Sequence, residues 1–309
     1  MRLCPPPYRP LRGAEPPHFV DRGSDDDMGA AGVVASALDA YRNGPCDPRF
    51  HRLVSGGQAM GKTAVLRAVC REAEARLGWA VVFHRCKPKE RAMTALVSEV
   101  DASVKRRWAG LPSGDGHAGS GDDARAGRGE PGGGLPEGAA WQRLKTSLQR
   151  HGQFGAAASR GLLIALDDAE LLGAGEAEAF GYLARALAGE DLPVALLISG
   201  SPCLAGSFAR SGNFSGRVWQ SRLRPFEECE TREAIVVPAA ERGVEFQQAA
   251  LAVACAAAAG SPLEVQRVGF VSWVAAGGRR RVGVAEVEAA LAAPGLGGPA
   301  ERVPVTLPA

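Results

Sequence analysis

The run Gly56-Gly57-Gln58-Ala59-Met60-Gly61-Lys62-Thr63 satisfies every fixed position of the G-x-x-x-x-G-K-[ST] phosphate loop. The chemistry needs those residue types. Glycines let the backbone curl so that successive N–H groups turn inward on an anion. A helix opening at the end of the loop adds the positive pole of its dipole to the same spot. Lys62 is then expected to reach the β- and γ-phosphates of a nucleotide, and the Thr63 hydroxyl to bind Mg²⁺. The other reading of this stretch is a Gly-rich turn before a helix.

A second group of residues could act on what such a loop holds. The apolar run Gly161–Leu166 ends in Asp167-Asp168. In open α/β sheets the active groups sit at the carboxyl ends of strands. At such an end Asp167 would hold Mg²⁺ through its water shell, and Asp168 could orient an attacking water. The plainer alternative is a strand ending in solvated acids. Ser199 closes another apolar run, Leu192–Ile198, where a small hydroxyl could sense a γ-phosphate or position water. A strand-end turn with Ser-Gly-Ser-Pro chemistry accounts for it equally. Arg210 and Arg217 precede a last strand-like segment. Arg217 is the candidate to reach a phosphate in a neighbouring subunit, as trans arginine fingers do, or it is simply solvated.

These groups need a sheet and helices to position them. The end of Phe50–Ser55 reads as a short buried strand feeding the loop. Val65, Leu66, Val69 and Leu77 recur at helical spacing after it. Trp79–His84, Gly161–Asp167, Leu192–Gly200 and Ser215–Phe226 supply four more strand-like runs. Helical patterns lie between them, over Lys87–Trp108, Trp141–Phe154 and Ala174–Gly189. Unbroken apolar strands are the mark of a parallel sheet covered on both faces. From Glu227 onward only helices are expected, the first interrupted by Pro238 and the second spanning Glu245–Ala259 up to Gly260. Ser261-Pro262-Leu263-Glu264 then opens a helix with a capping box, and Val284–Ala292 is the last one. Arg279-Arg280-Arg281 reads as a solvated turn, with a DNA contact as the alternative.

The resulting organisation is a disordered or extended Pro-rich arm over 1–17, an α/β core over 18–226, an all-α lid over 227–293 and a tail over 294–309. Residues 109–138, rich in Gly, Ser, Asp and Pro, read as a flexible insertion in the core. Phe19-Val20, ahead of the first helix, could line an adenine pocket or merely form the turn that begins the domain.

Bulk composition narrows the class. Of 309 residues, 46% are hydrophobic and 23% charged, enough apolar content for a sizeable core. A net charge of +2 gives no electrostatic case for nucleic acid. No signal-peptide pattern follows Met1, and no apolar run approaches the ~20 residues of a membrane span. Seven scattered cysteines without a C-x-x-C pair point to reduced thiols and a cytoplasmic protein.

With both acidic and phosphate-loop elements in place, the chain resembles the AAA ATPases, and within them the origin-recognition-like branch related to signal-transduction NTPases. Phe19-Val20-Asp21-Arg22 is similar to that family's Phe-Val-Gly-Arg box, which contacts adenine, with Asp21 in place of Gly. Ile198–Pro202 looks like its sensor strand end. Pro225-Phe226-Glu227, Pro238–Val244 and Gly260-Ser261-Pro262 look like its lid segments. The resemblance implies a P-loop NTPase fold, a parallel five-stranded sheet followed by a small helical lid. It implies Mg²⁺-dependent hydrolysis of ATP to ADP and phosphate, driving a conformational switch with a protein partner or in a homo-oligomer. Two departures bear on turnover: the acidic strand ends Asp167-Asp168 where many members have Asp-Glu, and Leu263 stands where a lid arginine often follows, with Arg267 one turn on. Two other outcomes remain open at this point: an interaction module that binds nucleotide with little turnover, and a DNA-associated switch.

Overall fold

The apolar runs that end in Asp167 and Ser199 become the centre of a parallel sheet. In the computed structural model, which describes residues 5–11, 15–20, 32–47, 49–109, 137–204 and 218–293, five strands form: β1 (His51–Ser55), β2 (Ala80–Arg85), β3 (Leu162–Asp167), β4 (Val194–Gly200) and β5 (Val218–Arg222). Their order is β2-β3-β4-β1-β5. Every residue of β1, β3 and β4 is buried, which is why those runs carry no alternation of apolar and polar residues. The parallel register pairs Ala80 with Leu162 and Arg85 with Asp167 on one side, and Leu162 with Val194 on the other.

The chain folds as two compact units whose segments interleave along the sequence. One comprises residues 35–53 and 69–220. Its core is formed by β2, β3 and β4 with three helices: α3 (Ala92–Arg107), α4 (Glu137–Ala157) and α5 (Ala174–Ala188). Met93, Leu96, Val100 and Val104 of α3 recur every three or four residues and are buried, as are Leu144 and Leu148 of α4 and Phe180, Leu183 and Leu187 of α5. Each such side chain contributes about 1.5–3 kcal/mol by leaving water. Helix α1 (Val33–Asn43) supplies Tyr41, which stacks on Trp79 at a centroid distance of 5.2 Å. The Trp79 indole in turn lies over Gly161, where a Cβ would fall 2.3 Å from the ring, so β3 must be entered by glycine.

The other unit comprises residues 1–34, 54–68 and 221–309. It holds the phosphate loop, the start of α2 (Lys62–Glu72), and the helices α6 (Glu228–Ala240), α7 (Gln248–Ala258), α8 (Pro262–Ala276) and α9 (Val284–Ala292). The Ser261 hydroxyl accepts the Glu264 N–H, and Pro262 occupies the first turn of α8 as its fixed φ allows. Ala259 and Gly260, at φ 47° and 71°, end α7. Gly260 is required there, because a Cβ would lie 2.6 Å from the Phe226 carbonyl oxygen.

Three expectations are corrected. Pro238 does not interrupt α6, because it falls in the last turn and its missing N–H leaves a single carbonyl, that of Ala234, without its helical partner. Glu245 is not helical, and Arg281 is not in a plain turn: Glu245–Phe246 and Arg281–Val282 pair as short parallel strands, β6 and β7, with Phe246 and Val282 buried. The expected disorder of residues 1–17 also fails where that arm is described. Tyr8 is buried among α6 and α8, its hydroxyl donating to the Ile235 carbonyl at 2.6 Å. Proline content shows that a segment lacks regular structure, whereas an aromatic anchor decides whether it docks. The expected insertion at 109–138 and the tail from 294 lie almost wholly outside the described residues.

Candidate functional site

Ser55 ends β1, and its carbonyl accepts the Leu223 N–H at 2.7 Å. The chain then turns at Gly56, where a Cβ would be 3.1 Å from the Leu223 Cβ. Ala59 and Gly61 take left-handed conformations, with φ of 66° and 81°. That curl gathers the loop and delivers it into α2, whose first turn is closed by Val65 N–H donating to the Gly61 carbonyl at 3.0 Å. Lys62 folds back over the loop: its ammonium donates to the carbonyls of Gly56 and Gly57 at 3.1 and 3.0 Å. A cation parked on the loop's own acceptors is already where an anion on the loop would need it. Thr63 follows as the second residue of α2.

Beside the start of α2 opens a small cleft of about 40 Å³. Phe19 and Val20 line it with Gly61, Ala64 and Val65, and Phe226, Pro262 and Gln266 lie on its other walls. Thus the structure brings the Phe19-Val20 pair to the end of the phosphate loop. Asp21 and Arg22, the rest of that box, lie outside the described residues, as do Arg210 and Arg217.

In the other unit the strand ends carry the acids. Asp167 is 0% exposed, and its Oδ1 accepts the Ser199 hydroxyl at 2.6 Å. The same Ser199 oxygen accepts the Asp168 N–H at 3.3 Å. Ser199 is itself 0% exposed, so here it orients both acids from within the sheet. Asp168 takes a left-handed φ of 55°, which turns it off the strand, and its Oδ2 meets Arg85 Nε at 2.8 Å. Arg85 was missed by sequence reasoning. The available signal was a cation ending the strand that pairs with the acidic one, but only the β2–β3 register makes it a neighbour.

Two nearby groups are excluded from chemistry by burial. Cys86 donates its N–H to the Asp167 carbonyl, and desolvation pushes its thiol up to about 12, so no thiolate forms at neutral pH. His51 is held neutral, its pKa lowered to about 4 by burial, and its Nδ1 accepts the Leu196 N–H at 3.1 Å. Arg267 is paired with Glu264 at 2.7 Å. Of the basic cluster, Arg279 meets Glu286 at 2.6 Å and Arg281 meets Glu245 at 3.6 Å.

The sequence pattern of the AAA ATPase domain family matches residues 34–198, more than half of the chain. The chain belongs to the AAA ATPase domain family. Both the phosphate loop and the Asp167-Asp168 strand end fall inside the matched span. Membership makes this a nucleotide-binding P-loop ATPase, a class that typically uses Mg²⁺. Among solved structures, the Aeropyrum pernix ORC1 protein in complex with DNA is similar at a TM-score of 0.55 and 21% identity, over 84% of this chain and 63% of that one. Pyrobaculum aerophilum Cdc6p is similar at 0.55 and 17%, over 86% and 66%. The Thermotoga maritima RuvB Holliday junction branch migration motor is similar at 0.50 and 13%, over 89% and 72%. These likenesses establish a shared AAA fold. The chain spans just under two thirds of the length of ORC1 and of Cdc6p. No curated protein matches the chain. Among the described residues of this AAA protein, no helix is long and apolar enough to cross a membrane.

Proposed function

We propose that the protein is an ATP-dependent conformational switch that binds Mg-ATP on the Gly56–Thr63 loop and hydrolyses it slowly to ADP and phosphate. The observation that carries this reading is the loop itself, curled through Ala59 and Gly61, with the Lys62 ammonium on its carbonyls and a cleft with apolar walls at its end. Loop amides and Lys62 neutralise the phosphates, and the adenine base enters the cleft against Phe19 and Val20. Thr63 and Asp167 are the oxygen donors the motifs provide for Mg²⁺. A hydroxyl and a buried carboxylate suit a hard cation, and the ion when bound neutralises phosphate charge. Ser199 positions Asp167 by its 2.6 Å hydrogen bond. Asp168 orients the attacking water once its carboxylate leaves Arg85.

A second reading is favoured by the Arg85–Asp168 pair: a nucleotide-dependent interaction module that scarcely turns over, acting through a protein partner or a second copy. A DNA-associated switch draws less support, because two of the three arginines in the basic cluster already face carboxylates. The deciding experiment measures ATP binding and phosphate release for wild type, Lys62→Ala and Asp168→Asn on parallel preparations. The switch reading expects Lys62→Ala to lose binding and Asp168→Asn to bind without release. Binding without turnover in concentrated wild type selects the module, and absence of Lys62-dependent binding refutes both.

A further inference from the structure

The cleft that takes the base has one polar side chain whose orientation is fixed by the N-terminal arm. Gln266, 7% exposed on α8, lines the cleft. Its Oε1 accepts the backbone N–H of Arg9 at 3.1 Å. An N–H can only donate, so the amide atom facing it must be the oxygen, and the Nε2 group takes the other side. That NH₂ has no hydrogen-bond partner among the described residues. The arm is held in register for this contact by its neighbour Tyr8, whose ring rests on α8 at Gly269, where a Cβ would come within 2.5 Å of the ring. Further along, Pro16, His18, Phe19 and Val20 of the same arm form a wall of the cleft. His18 is tied to α6 by a 2.7 Å contact with Glu233.

We propose that Gln266 reads the base, donating from Nε2 to a ring nitrogen, and that the arm residues Tyr8, Arg9 and 15–20 are part of the base site because Arg9 sets the amide's orientation. An amide donor matches the N1 acceptor of adenine and opposes the N1–H of guanine. The site therefore selects adenine nucleotides over guanine nucleotides. This rests on the ATP-site reading above.

The test compares ATP and GTP binding to the full chain for wild type, Lys62→Ala, Gln266→Glu, Gln266→Met and Tyr8→Ala. Gln266→Glu keeps an oxygen for the Arg9 N–H and replaces the donor with an acceptor. It should reduce the ATP-to-GTP affinity ratio by roughly 10- to 100-fold, the effect of leaving a buried partner unsatisfied. The carboxylate also repels phosphates, but it does so for both nucleotides alike and cancels in the ratio. Gln266→Met, which fills the same space without a donor, should lower the ratio too and decides the matter if the Glu variant does not fold. Tyr8→Ala should lower the ratio through the arm alone. If wild type binds ATP through Lys62 and neither Gln266 variant changes the ratio, Gln266 does not read the base and the inference falls while the ATP site stands. If wild type shows no Lys62-dependent nucleotide binding, the ATP site falls and takes the inference with it.

Discussion

Replacing Arg85 by alanine should raise the rate of ATP hydrolysis. In the proposed mechanism Asp168 orients water only when its carboxylate is not engaged, and in this structure it meets Arg85 Nε at 2.8 Å. The free energy needed to part the pair sets the size of the effect. The Arg85 side chain is 53% exposed and that of Asp168 26%, so solvent screens the interaction. Pairs of this kind are worth about 0.2–1 kcal/mol. Removing that cost should speed turnover by roughly 1.5- to 5-fold, taking RT as about 0.6 kcal/mol. The assay is steady-state phosphate release at saturating Mg-ATP, with nucleotide affinity measured separately. Raising ionic strength should bring wild type toward the variant, because salt weakens the same pair. Turnover slowed by an order of magnitude in Arg85→Ala, with ATP affinity and fold intact, would refute the reasoning. It would mean that Arg85 takes part in hydrolysis instead of restraining Asp168.

Two further outcomes follow from buried polar groups. Ser199→Ala deprives the fully buried Asp167 carboxylate of its 2.6 Å donor and should destabilise the protein by about 1.5–3 kcal/mol, measurable by denaturant unfolding. His51, whose folded pKa of about 4 lies below its ordinary 6.5, binds its proton more readily when unfolded. Its contribution to stability is therefore full above pH ~6.5 and lost as pH falls toward about 4, by on the order of 3 kcal/mol in all. Unfolding free energy measured across that range should fall more steeply with acid in wild type than in His51→Gln.

The central strands were legible because β3 and β4 are buried on both faces and stand out as apolar runs that turn polar only near their carboxyl ends. The phosphate loop was legible for a different reason, since its motif fixes residue types as well as spacing: the glycines, Lys62 and Thr63 stand at every position the motif prescribes. What sequence could not supply is adjacency across the fold. Ser199 was recognisable as a strand-end hydroxyl, but its spending both hydrogen-bonding roles on Asp167 and Asp168 depends on the two strand ends lying side by side. Arg85 becomes a restraint on Asp168 only through a strand register that pairs residues 82 positions apart. The arm is the clearest case. Its prolines and lack of periodicity suggested disorder, yet a single tyrosine finds a glycine on α8, and that seat puts the Arg9 N–H against Gln266. Local pattern reports which element a segment can form. A small docking event such as this one, worth little as secondary structure, can still fix the polar atom that faces a ligand.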